Sequence, residues 1–276
     1  MDAKDLTILF TATGAPVLVA VFIMIKRLYR RVKRKKLAGK AFGEEWVKII
    51  KANVPLYNRL PDSLKEQLHG LIHIFLAEKI FKGCGGLEIT DEIRVTIAAQ
   101  ASMLLLNRKT SYFRKLRTIL VYPHTYVART VSSNGVIEIE GRSVRLGESW
   151  QNGPVVLAWD SVTGGTRNIA DGRNVVLHEF SHQLDQEDGA ADGAPILEHR
   201  SSYATWARVL GEEYESLRRK GRRKAVIRKY GATNPAEFFA VATESFFEKP
   251  KQMKKKHPEL YDELRDYYKL DPVEWL

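Results

Sequence analysis

Two histidines one helical turn apart in an apolar stretch constrain this chain more than any other feature. They stand in the run Asn174-Val175-Val176-Leu177-His178-Glu179-Phe180-Ser181-His182-Gln183-Leu184. Residues four apart on a helix share a face, so both imidazoles reach one metal ion. Glu179 then lies beside the metal, where a carboxylate can take a proton from water. The chain also contains a contrasting pair. His69 and His73 have the same spacing in His69-Gly70-Leu71-Ile72-His73, but no glutamate follows the first, and the segment runs on into Ile74-Phe75-Leu76. That pair reads as the edge of a helix packed on the core.

Two histidines leave a hydrolytic metal site incomplete, since three protein ligands and an open position are needed. One known solution places a third histidine six residues after the second. Here Asp185 and Asp188 follow His182 where that pattern has its glycine and histidine, which excludes it. The other solution is a glutamate from a later helix. Asn234-Pro235-Ala236-Glu237-Phe238-Phe239-Ala240-Val241-Ala242-Thr243-Glu244 offers two, both among apolar residues where an ionised carboxylate is costly unless paired or metal-bound. Seven residues separate them, roughly 10 Å along a helix axis, so one ion takes only one. On these grounds Glu237 and Glu244 stay equivalent.

The first forty residues have a different character. Leu6 to Ile25 is uncharged and rich in Leu, Ile, Val, Phe and Ala, and a helix of that length spans a hydrocarbon core of roughly 30 Å. A cleaved leader would have a positive start and a small-residue cleavage site; here Lys4 lies between Asp2 and Asp5, and the run ends in Met24-Ile25-Lys26-Arg27. The reading is a membrane anchor. Lys26, Arg27, Arg30, Arg31, Lys33, Arg34, Lys35, Lys36 and Lys40 follow with no acid among them, which keeps this end in the cytoplasm and attracts anionic lipid. Of the chain's net charge of +11, residues 1–40 carry +8, so the basic excess is local. Nucleic acid is the weaker partner for it, given little aromatic interleaving. The later basic run from Leu217 to Lys229 reads as a solvated helix face. Cys84 is the sole cysteine, which rules out an intrachain disulfide and points to a reducing compartment.

Between these landmarks the pattern changes from helical to strand-like and back. Trp46, Ile49 and Ile50 form one short face; Pro61-Asp62-Ser63 starts a helix carrying Leu64, Leu68, Leu71, Ile72, Phe75, Leu76 and Ile80; Asp91 caps another through Ile97, Ala101 and Leu105. Lys82-Gly83-Cys84-Gly85-Gly86 reads as a turn. Thr118–Tyr122, Val136–Glu140 and Val155–Trp159 have strand character, and a small mixed sheet leading into the histidine helix fits their order. Val155–Trp159 is a candidate edge strand for an extended peptide. Glu187 to Pro195 is a polar, glycine-rich loop that ends the histidine helix, and the remainder is helical.

Several segments together resemble one family: Gly86-Leu87-Glu88-Ile89-Thr90, Val156-Leu157-Ala158-Trp159-Asp160, Arg167-Asn168, the stretch Asn174 to Asp185, and Tyr230-Gly231-Ala232-Thr233-Asn234-Pro235-Ala236-Glu237-Phe238-Phe239. They are similar to the Mlc titration factor A family of bacterial zinc peptidases, gluzincins related in their core to the catalytic domain of anthrax lethal factor. The resemblance spans about residues 42–272. It implies an α+β fold, a zincin-like metallopeptidase core with a small mixed sheet and the HExxH helix, preceded by a helical subdomain; the N-terminal transmembrane helix before it is expected from the 6–25 run and not from the resemblance. The expected divisions are an anchor over 1–25, a basic linker over 26–40, a helical subdomain over 41–110 and a catalytic core over 111–276.

The same resemblance implies a site. Zn2+ would be held by His178, His182 and Glu237, which breaks the tie between the glutamates and leaves Glu244 behind the site or in the core. Tyr230 would face the metal and donate a hydrogen bond to a developing oxyanion. Glu179 would act as general base and pass its proton to the leaving amine of a peptide or protein substrate. Asp185, one turn after His182, is a candidate to orient a ligand imidazole. The family is named for binding and titrating a transcriptional repressor of sugar uptake, so a regulator-binding module is the alternative role. The best-known member is soluble and lacks the N-terminal span; here the expectation is a single-pass protein of the bacterial inner membrane, facing the cytoplasm.

Overall fold

The computed structural model describes residues 3–108, 111–124, 129–132, 135–138, 153–220 and 226–275. The chain divides into two compact units, Met1–Ala41 and Phe42–Leu276. The first is a single helix, α1 (Ala3–Ala38). The 6–25 run falls within it, but the side chains of residues 1–17 lie outside the described residues. Among the described residues, no helix is long and apolar enough to cross a membrane. From Leu18 to Val32 the apolar side chains of α1 stand exposed, Leu18, Phe22, Met24 and Leu28 each by more than 60 %.

The second unit opens with helices α2 (Glu44–Asn53), α3 (Pro55–Arg59) and α4 (Asp62–Glu78), then strand β1 (Ile80–Gly83) and helix α5 (Asp91–Met103). Ile50, Leu68, Ile72, Ile93 and Ile97 are buried among these elements, the apolar stripes expected from their spacing. The cap of α5 is Thr90, whose hydroxyl accepts from Ile93 N at 3.3 Å. Asp91 is the first helical residue and not the cap expected from the sequence.

Strands β2 (Thr118–Tyr122), β3 (Arg129–Ser132), β4 (Gly135–Glu138) and β5 (Val155–Ala158) follow. Where a mixed sheet was expected, the main sheet among the described residues has three strands in the order β1-β2-β5, all parallel. Phe81 pairs with Ile119, and Ile119 with Val155. β4 pairs instead with β3, antiparallel, as a separate ribbon; the end of the expected strand, Ile139 and Glu140, lies outside the described residues. β1 went unforeseen for a physical reason. None of its side chains is buried, so the alternation that betrays a strand is lacking. Backbone bonding holds it, continued at its ends by Ile80 N to Arg117 O (2.9 Å) and Cys84 N to Val121 O (2.8 Å).

β5 runs directly into α6 (Trp159–Arg167), and a short turn leads to α7 (Val175–Asp185). Helices α8 (Ser202–Lys220), α9 (Pro235–Glu248), α10 (Pro250–Lys256) and α11 (Pro258–Tyr268) complete the unit. α9 is its axis. Every residue from Ala236 to Glu248 is buried, and a helix apolar on nearly all sides belongs inside a core. Phe180 of α7 packs against Phe75 of α4 and Phe113, with ring centroids 5.6 and 5.0 Å away. The early helices and the later ones therefore share one hydrophobic core, and the histidine helix is fixed from behind by aromatic packing.

Candidate metal centre

Two asparagine caps build the centre. Asn174 precedes α7, and its side chain accepts from Leu177 N at 3.0 Å. This starts the helix so that Val176, Leu177, Phe180 and Leu184 face the core, while His178 and His182 share another face, their rings 4.9 Å apart and nearly perpendicular. Asn234 precedes α9, followed by Pro235 at the first helical position. An N-cap asparagine and a proline at that position are both strong helix starters. Glu237 thus falls in the first turn, aimed back at α7.

Glu237 Oε2 lies 3.0 Å from His178 Nε2 and 3.6 Å from His182 Nε2. One ligand atom from each of the three residues lies within 4.8 Å of the others. Donors held about 2.0–2.1 Å from a tetrahedral ion stand about 3.3 Å apart, so the spacing fits a small divalent cation. His178 Nε2 gives a second indication: it is buried and makes no hydrogen bond, which is costly unless something else meets its lone pair.

The electrostatics agree. Burial alone would lower the His178 pKa, but the carboxylates of Glu237 and Glu244 beside it hold it up to about 10. Burial works against ionisation of Glu237 too, yet the His178 and His182 imidazoles beside it keep its carboxyl well below the usual range. The cluster is built to keep an anion inside the protein opposite positive charge, and a metal ion would replace the imidazole proton in that role. Glu179 is partly buried beside the ligands. Burial pushes its carboxyl up, His178 and His182 pull it down, and Glu237 and Glu244 push it up again; the net shift is upward.

Two further side chains frame His178. Tyr230, on a single 3-10 turn over Lys229–Ala232, puts its ring centroid 5.8 Å from that of His178. Behind the imidazole, Glu244 Oε1 lies 2.9 Å from Nδ1, and Glu244 Oε2 accepts from Asn174 N at 2.6 Å.

The model of the glucose-regulated metallo-peptidase M90 family matches residues 28–269. This chain belongs to that family. The M90 match takes in the histidine helix, Tyr230 and α9, and begins beyond the apolar 6–25 run. An uncharacterized protein of Synechocystis is 40 % identical over 245 residues, covering 87 % of this chain and 89 % of that protein. Mlc titration factor A of Pectobacterium atrosepticum is 29 % identical over 236 residues, covering 83 % and 87 %. Mlc titration factor A of Yersinia pestis is 28 % identical over 227 residues, covering 80 % and 83 %.

The M90 chain brings His178, His182 and Glu237 together and sets Glu244 behind His178. Asp185 is placed differently. Its Oδ2 accepts from Gly193 N at 3.1 Å, and burial raises its carboxyl to about 6; it ties down the loop after α7, while the oxygen facing a ligand imidazole is Glu244's. Gly193 needs to be glycine, with φ +79° and Pro235 O only 2.5 Å from where a Cβ would stand. Arg228 was missed. Within a basic run it read as solvated, yet its Nε donates to Gly172 O at 2.9 Å and its Nη2 to Glu244 Oε1. Nothing local in sequence marks an arginine sixteen residues from its carboxylate. The other histidine pair is accounted for by packing: His69 Nε2 lies 2.9 Å from Tyr57 OH and its ring stacks on Phe42 at 4.0 Å, while His73 packs on Phe42 and Trp46. Among the described residues, His178, His182 and Glu237 form the one group arranged to hold a metal ion.

Proposed function

We propose that this M90 chain is a zinc-dependent metallopeptidase in which His178, His182 and Glu237 hold Zn2+. The observation that carries the reading is the convergence of these three donors at tetrahedral spacing with Glu179 beside them. A bound zinc ion supplies Lewis-acid polarisation of the scissile carbonyl and makes water more acidic. Glu179 takes the proton from the attacking water and delivers it to the leaving amine. Tyr230 donates a hydrogen bond to the oxyanion. The peptide lies extended along β5, an edge of the three-stranded sheet among the described residues.

The protein acts at the inner face of the bacterial inner membrane. Supporting this are the uncharged 6–25 run, the nine basic residues after it and the exposed apolar side chains of α1. The run enters the bilayer and the basic segment over 26–40 meets anionic lipid. A second reading, binding of a transcriptional regulator, is favoured by the name of two relatives, Mlc titration factor A. Glu179 argues for catalysis, since a purely structural site needs no base.

The deciding experiment measures zinc content and cleavage of a peptide library by the full chain in detergent, beside Glu179→Gln. Zinc in both with cleavage by the wild type alone supports the peptidase; zinc without cleavage in either hands the chain to the regulator-binding reading. Resistance to carbonate extraction tests the anchor, which fails if the protein is recovered in the soluble fraction.

A further inference from the structure

Behind the ligands, three donors converge on one buried carboxylate. Glu244 is 1 % exposed. Its Oε2 accepts from Asn174 N at 2.6 Å; its Oε1 faces both His178 Nδ1 at 2.9 Å and Arg228 Nη2. Arg228 is anchored at its other edge, with Nε donating to Gly172 O at 2.9 Å. One planar guanidinium therefore ties the turn that leads into α7 to a side chain of α9.

Hydrogen-bond direction gives this link a consequence. A guanidinium has donors and no acceptor, and so has a backbone N–H. With both placed against Glu244, its oxygens are committed to accepting. The imidazole nitrogen facing Oε1 must then carry the hydrogen, which leaves Nε2 with its lone pair toward Glu237 and His182. Fixing a ligand histidine's tautomer and ring angle from behind is worth roughly 10–100-fold in metal affinity. Arginine suits the task, because its fork engages two acceptors at once where lysine is a point charge.

We propose that Arg228 is a positioning residue for the metal centre, acting through Glu244 to hold His178 with Nε2 facing the ion. This rests on the reading that His178, His182 and Glu237 bind metal.

The test is metal affinity of the full chain, by chelator competition with Zn2+ and by the visible absorption of the Co2+ form. Arg228→Met should weaken binding roughly 10–100-fold and alter the Co2+ spectrum; Arg228→Lys should fall between. Glu244→Gln should weaken binding to a similar degree, and adding Arg228→Met to it should weaken binding little further. Thr243→Val is the control. Thr243 is buried on the same helix and its hydroxyl lies 2.8 Å from Tyr268 OH on α11, so its loss should affect stability and leave affinity and spectrum unchanged. Should Arg228→Met not fold, Arg228→Lys is read instead, alone and added to Glu244→Gln. Wild-type affinity in the folded arginine variants, or additive losses in the double variant, would overturn the proposal. A wild type that binds neither ion overturns the metal reading itself, a distinct outcome.

Discussion

Asn234 Oδ1 accepts from the backbone N–H of Glu237 at 2.8 Å, so the residue that starts α9 also fixes the carboxylate that meets His178 and His182. Asn234→Ala should cost roughly 1 kcal/mol of stability and lower metal affinity as well, because the first turn of α9 frays where Glu237 stands. Asn234→Asp keeps the acceptor and should restore most of both. Denaturant unfolding beside metal titration checks the pair; lost stability with wild-type affinity would separate the cap from the site.

Glu237 and Glu244 should differ in kind. Glu237→Ala removes a ligand and should abolish stoichiometric metal binding. Glu244→Ala should keep one ion per chain at saturation and weaken its affinity, since it removes what lies behind His178 and not a ligand. Metal analysis after dialysis against graded chelator distinguishes them, and the reverse pattern would show that the wrong glutamate has been assigned.

Tyr230→Phe removes a hydroxyl near the site and nothing from the ligand set. Turnover should fall roughly 10²–10³-fold with metal affinity unchanged. A change confined to KM would make the tyrosine a substrate-positioning group instead.

Gly193→Ala should be strongly destabilising. Its positive φ and the contact with Pro235 O together cost roughly 1–3 kcal/mol or more. The nearby substitution Ala191→Ser, at an exposed position, should be close to neutral. Thermal unfolding of both variants gives the comparison.

Stability should depend on pH through Glu248. Burial, then Glu244 and Asp171, push its carboxyl from 4.5 to about 8, against the Arg173 N–H and the Asn174 side chain. A raised carboxyl pKa means the folded state keeps a proton that the unfolded chain has lost. Stability contributed by this group is therefore present below about 4.5 and declines as pH rises toward 8. Glu248→Gln should flatten that slope, which denaturant unfolding between pH 5 and 8 measures; an unchanged slope would assign it to other groups.

What could be read from sequence followed the range of each interaction. His178 and His182 are neighbours on one turn, so local spacing was enough for them; the caps Asn174 and Asn234 act over only three residues but went unread. Choosing Glu237 over Glu244 needed a family resemblance, because helical geometry treats the two alike. Arg228 and Glu244 meet only after α7 and α9 pack, and the same holds for Asp185 and Gly193, whose bond depends on how the loop turns back. β1 escaped because backbone pairing, not side-chain burial, makes it a strand.

Glu237, Glu244 and Glu248 lie seven and then four residues apart on α9, close to whole turns, which sets all three on the side facing α7. One residue inserted between the first two would swing the later pair about 100° away from the histidine helix and shift them about 1.5 Å along the axis. The ligand could then be kept only by losing its support, or the support by losing the ligand. A whole turn restores the direction but moves the later pair about 5.4 Å along the axis, so changes in length between Glu237 and Glu248 are excluded, while the exposed loop tip around Asp188 and Gly189 is free to lengthen or shorten. A comparison of naturally occurring M90 chains should find their insertions there, and α9 of one fixed length.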